Sequence, residues 1–174
     1  LAFASATRDL LAKECTPEAV RAAWAGDGRA PGVWTQLVEM GVVGMLAPEG
    51  VGGMGMDELG LALLCHEAGR VALPDPLVDV ALVAVPAIRD HAQSDDAEAL
   101  LERICSGGAT VGVGLGWDTT VADAEGAVAF LLEAEDGLHL VDPDVVDVSP
   151  VQSVDGGRRL GVASWSPSPA TLLS

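Results

Sequence analysis

Positive charge is scarce in this chain. Lys13 is its one lysine, Lys and Arg together number 9 against 26 acidic residues, and the formal net charge is −17. That balance argues against nucleic acid as a partner, because a phosphate backbone rewards clustered Lys and Arg. It speaks equally against an anionic membrane surface. No apolar run approaches the roughly 18 residues that cross a bilayer, and no basic-then-apolar leader is visible at the start. Cysteine is sparse too. Cys15, Cys65 and Cys105 stand far apart in apolar helical stretches, which reads as buried thiols in a reducing cytoplasm rather than a disulfide framework. Heavy use of Ala, Val, Gly, Asp and Arg beside one lysine suggests a GC-rich bacterial gene. Hydrophobic residues make up 49% and charged residues 20% of 174, enough for a packed core in one domain or two small ones.

Several kinds of chemistry are also missing. There is no Gly-x-Ser-x-Gly elbow, and His91 and His139 have no nucleophile at a telling spacing. Cys65-His66-Glu67 offers three ligand types in a row, but neighbours on a helix point about 100° apart and cannot share one ion unaided. Glu67 and Arg70 stand at i and i+3, the spacing of a local ion pair. Asp142, Asp144, Asp147 and Asp155 flank turns, where Asp is favoured locally, and are too thinly spaced for calcium. No metal site is expected.

What is present is a change of pattern near residue 106. Leu1 to Glu14 reads as a helix. Thr16-Pro17-Glu18 starts a second, with Thr as cap and Pro in the first turn, ending by Gly26-Asp27-Gly28. Pro31 opens a third, stopped at Gly41, and Asp57 opens a fourth that ends at Gly69-Arg70 before Pro74 and Pro76. Leu77 to Arg89 is apolar throughout and reads as a buried helix, although Val78, Val80, Val83 and Val85 also allow a strand, and Pro86 is awkward for either. Ser94 caps a last helix to about Cys105, with Gly107-Gly108 as its stop. Thereafter Val111, Val113 and Leu115 alternate with Gly112, Gly114 and Gly116, a strand with one bare face. Ala127 to Leu132, Leu138 to Val141, Val145 to Val148 and Leu160 to Trp165 follow as short strands between Asp, Pro and Gly turns. Ser166-Pro167-Ser168-Pro169 reads as a linker. The fold class is therefore α+β: an all-α unit over 1–106, then a small barrel-like or sandwich-like β unit over 107–174.

Gly50-Val51-Gly52-Gly53-Met54-Gly55 formally matches G-x-G-x-x-G, with Asp75 about twenty residues on. A dinucleotide fold needs a strand before the motif and a parallel strand after its helix. Val42 to Leu46 could serve as the first, but Pro74-Asp75-Pro76 stands in place of the second. The loop reads instead as a tight helix-to-helix passage.

Taken in order, Trp34, Pro48-Glu49-Gly50-Val51-Gly52-Gly53-Met54-Gly55, Glu67-Ala68-Gly69-Arg70 and Pro74-Asp75-Pro76 resemble the N-terminal helical domain of the flavin-dependent acyl-CoA dehydrogenases. Asp155-Gly156-Gly157-Arg158-Arg159-Leu160 is similar to the family's late "D-x-x-R" turn. The resemblance implies FAD-dependent α,β-desaturation of an acyl-CoA thioester in lipid or sterol side-chain breakdown. It also implies a homo- or hetero-oligomer. Position in the family puts Gly114, Gly116 and Trp117 near the flavin, and Leu77, Val80, Val83 and Ala84 on the wall of an acyl pocket. No catalytic base can be assigned.

The chain departs from the family in two places. Gly114-Leu115-Gly116-Trp117-Asp118-Thr119-Thr120 stands where a "[ST]-E-P-x-x-GSD" segment would contact flavin, and the stretch leading to a "W-[IT]-[ST]" segment is missing. The C-terminal helical bundle that bears the family's catalytic carboxylate lies outside these 174 residues. Two alternatives follow: a non-catalytic partner subunit of a heteromeric dehydrogenase, and an acyl-CoA-binding module without redox chemistry. The bare glycine face has two readings as well. Either the helices pack on it, or a planar flavin or acyl chain approaches its backbone.

Overall fold

A computed structural model of the chain describes residues 2–26, 28–92, 94–116 and 119–173. Helices α1 (Ala2–Glu14), α2 (Pro17–Ala25), α3 (Val33–Glu39), α4 (Glu58–Arg70), α5 (Val85–His91) and α6 (Asp95–Cys105) come first, and strands β1 to β6 follow, so the fold class is α+β. The expected caps form. The side chains of Thr16, Asp57 and Ser94 accept hydrogen bonds from the backbone N–H groups of Ala19, Gly60 and Ala97, each meeting a donor that the first helical turn leaves without a partner. At the other end of α3, Val42 N–H reaches back to Leu37 O at 2.9 Å, closing the helix as Gly41 turns the chain away.

Leu77 to Arg89 is helical, and Pro86 has a structural answer. Val78–Ala84 is a π-helical segment that runs directly into α5. Val85 N–H donates to Val80 O, five residues back, so the turn is already widened where the proline arrives without a donor of its own. Val42 to Leu46, by contrast, forms successive turns rather than a strand, and no strand precedes the glycine-rich loop among the described residues.

The strands form two three-stranded sheets. The first has the order β1 (Val111–Gly114), β3 (Ala129–Ala134), β4 (Gly137–Val141), with β1 parallel and β4 antiparallel to β3. The second has the order β2 (Thr120–Ala122), β6 (Leu160–Ser164), β5 (Asp147–Val151), all antiparallel. Strand β2 gave no apolar run and was not foreseen.

The two faces of β1 serve two cores. Val111 joins the large core, which includes Leu37, Leu46, Leu61, Val80 and Ile88, with Val113 packed against it. The glycine face turns the other way, onto a small core of Val121, Phe130, Leu132, Val141 and Ala163. A methyl group at Gly112 would stand 2.6 Å from Phe130, and one at Gly114 would stand 2.9 Å from both Leu132 and Val121. Neither expected occupant of the bare face is therefore needed. The helices pack on the valine side, and the glycine side is filled from within the strands.

The linker reading of the tail is also corrected. Leu140 N–H donates to Thr171 O, Leu173 N–H donates to Leu138 O, and His139 and Leu172 form a bridge, so the segment after Pro169 lies along the free edge of β4.

Candidate functional site

A cleft of about 500 Å³ opens between the helices and the second sheet. Its helical side comes from the end of α4 and the loop to the π-helical segment: Ala68, Ala72, Leu73, Pro74, Leu77 and Val78. Its sheet side comes from Asp123, Val154, Asp155, Gly157 and Arg158, with Trp24 also in the lining. The Asp155–Arg159 turn holds these halves together. Trp24 lies so close over Gly156 that a methyl group there would stand 3.0 Å from it. Arg159 donates to Gly26 O and pairs with Glu125 at 3.3 Å, while Arg158 stands 3.6 Å from Asp79.

The cleft is charged as well as apolar. Asp75 is buried, accepts from Ala30 N–H at 3.3 Å and lies 3.8 Å from Arg29, tying the loop before α3 to the proline exit. Burial pushes the Asp79 carboxyl up, opposed by Arg158. Burial likewise pushes Asp123 up, opposed first by Arg29 and then by Arg158. Asp123 holds a left-handed backbone, φ 52°, and its N–H donates to Arg159 O at 2.9 Å.

The residues expected to wall an acyl pocket separate. Leu77 lines the cleft, Val80 and Ala84 are buried in the main core, and Val83 is half-buried against it. The residues expected near a flavin separate too. Gly114 is covered by Leu132 and Val121, Trp117 lies outside the described residues, and Gly116 borders a second hollow with Glu133, Glu135 and Asp136. There the Gly116 N–H donates to Glu133 Oε2 at 2.6 Å. Cys65, His66 and Glu67 diverge as helical neighbours must. Cys65 faces the cleft, His66 is exposed, and Glu67 is buried against Arg8 at 2.6 Å and Arg70 at 3.6 Å.

The family model described as "Acyl-CoA dehydrogenase, N-terminal domain" matches residues 1–108. The chain belongs to the acyl-CoA dehydrogenase family. It is 32% identical over 170 residues to the acyl-CoA dehydrogenase IpdE2 of Mycolicibacterium smegmatis, covering 94% of this chain and 50% of that protein. The chain thus spans about half the length of the curated relatives it matches. Its fold is shared with a variant of the Tcur3481–Tcur3483 steroid ACAD, at TM-score 0.83 and 23% identity, covering 95% of this chain and 54% of that one. The ChsE4–ChsE5 complex of Mycobacterium tuberculosis contains a similar chain, at TM-score 0.76 and 17% identity, covering 99% and 54% respectively.

FAD is the family's cofactor, and Gly114 and Gly116, the described residues expected beside it, do not fit it. Backbone N–H groups are the donors such a stretch offers an anionic dinucleotide. Here the Gly116 donor is taken by a carboxylate, the Gly114 face is filled, and three carboxylates rim the hollow that remains. Sequence reasoning missed Asp79 and Asp123, and met Arg158 only as part of the Asp155–Arg158 turn, without assigning it to a cleft. One signal was available: Asp79 is the single charged residue between Leu77 and Ile88.

Proposed function

We propose that the chain is the helical and β portion of an acyl-CoA dehydrogenase subunit that shapes an acyl-binding cleft but does not hold flavin itself. The reaction served is α,β-desaturation of an acyl-CoA thioester, carried out beside a homologous, flavin-bearing chain. The observation carrying this reading is Glu133 on the Gly116 N–H, at the rim of an acidic hollow. The Glu133 carboxylate is exposed, so its repulsion of phosphate is screened by solvent, but it occupies the donor that phosphate would use. The paired names Tcur3481–Tcur3483 and the ChsE4–ChsE5 complex, both of similar fold, lend support to unlike subunits. In the same reading 1–106 and 107–174 are the two units, the cytoplasm is the compartment, and Leu77 is the acyl-facing residue carried forward from the four expected.

The test is a flavin titration of the purified chain. We expect no bound flavin after desalting, and no quenching of flavin fluorescence on mixing. Visible absorbance at one flavin per chain that survives desalting overturns the reading.

A further inference from the structure

The cleft has a lining that a saturated acyl chain does not use. Ala68, Ala72, Leu73, Leu77 and Val78 make an apolar wall, and Asp79, Asp123 and Arg158 face it. Methylene groups return nothing for the desolvation of a carboxyl or a guanidinium, so a pocket for a plain alkyl chain has no place for these three. Arg158 and Asp79 form an ion pair across the cleft, but a long one that leaves both with hydrogen-bonding capacity. Arg158 Nη1 lies 3.6 Å from Asp79 Oδ2, beyond a good hydrogen bond, and their side chains remain 52% and 23% exposed. A guanidinium carries five donors, and this contact engages at most one.

Two further observations converge on the same place. Ala72 and Asp123, on opposite sides of the cleft, both hold left-handed backbones, at φ 50° and 52°. Such conformations cost free energy in residues other than glycine and gather where a ligand is held. Burial pushes both cleft carboxyls up, toward the protonated form. A carboxylate can accept from a ligand hydroxyl, and the guanidinium can donate to a ligand oxygen.

We propose that the cleft receives an acyl group whose far end carries a hydroxyl or carbonyl oxygen, hydrogen-bonded by Asp79, Asp123 and Arg158. This rests on the acyl-binding reading given above and adds the class of acyl group. The apolar wall covers the hydrocarbon body, with Trp24 also in the lining, and the oxygen meets the three polar groups.

Calorimetric titration of the full chain, and of the complex in which it occurs, with octanoyl-CoA and ω-hydroxyoctanoyl-CoA tests this. The hydroxylated ligand should bind about tenfold more tightly, the worth of one net hydrogen bond. Asp79→Leu should abolish or invert that preference. Arg158→Met, at a half-exposed position, should do the same and serves where Asp79→Leu fails to fold. Equal or tighter binding of octanoyl-CoA by the unaltered protein overturns the proposal and leaves the acyl cleft standing. So does a preference that survives both substitutions. Binding of neither ligand overturns the acyl cleft, and the proposal with it.

Discussion

A methyl group added at Gly53 would stand 2.1 Å from Ala47 O and 2.4 Å from its carbonyl carbon. Backbone cannot yield as a side-chain tip does. Gly53→Ala should therefore lower stability by about 1–3 kcal/mol, and a thermal melt reads the loss directly. Gly52 has room for a side chain but holds φ 83°, so Gly52→Ala should cost less, about 1 kcal/mol, through strain alone. A melt of Gly53→Ala matching the parent would show that Ala47 is not where the packing fixes it. At this scale the sequence was informative where chemistry is local. Thr16, Asp57 and Ser94 announced caps because a short oxygen-bearing side chain before a helix has few other uses. What lies over Gly112 and Gly114 was not legible, because Val121 and Phe130 reach them only through sheet pairing. The same holds for Asp123 and Arg158, which meet Asp79 across the fold rather than along the chain.

Among the elements, α1 and α4 are joined by a buried carboxylate. Glu67 receives Arg8 at 2.6 Å and Arg70 at 3.6 Å, and the hydrogen bond from Arg8 is the main cause that holds its pKa below the usual glutamate range. The sign follows from linkage. A carboxylate whose pKa is lowered in the folded state binds fewer protons there than when unfolded, so its contribution is complete above the unfolded value of about 4.3. It is lost as pH falls below that value and through the folded pKa. Glu67→Gln should melt lower than the parent at pH 7, with the gap narrowing as the pH is brought below about 4.3. A gap independent of pH would assign the effect to packing instead. Elements differed in legibility for a physical reason. Amphipathic α6 declares its period, whereas Leu77 to Arg89 is apolar on nearly every side and fits a strand or a helix equally. The tail misled for the opposite reason, since Ser and Pro describe a linker until Leu140 and Thr171 are seen to pair.

As a whole molecule the chain combines strong acidity with uncovered apolar surface. Its net charge is −17, and Leu59 and Leu63, one turn apart on α4, are 74% and 47% exposed with Met56 beside them. Copies of the same −17 charge repel at low salt, and a less acidic partner would be repelled less. The family model covers residues 1–108, and the similarity to IpdE2 extends over most of the chain. Function was legible at the level of family because the ordered glycines, prolines and the Glu67–Arg70 spacing survive in sequence. The missing flavin-contacting motifs were legible in sequence, whereas the carboxylate on the Gly116 N–H needed three dimensions. Native mass spectrometry of the complex isolated from the source cell tests the central claim most directly. The account predicts an assembly of this polypeptide with a homologous, different chain, carrying no more flavins than it has partner chains. An assembly of this polypeptide alone, with one flavin per copy, would contradict it.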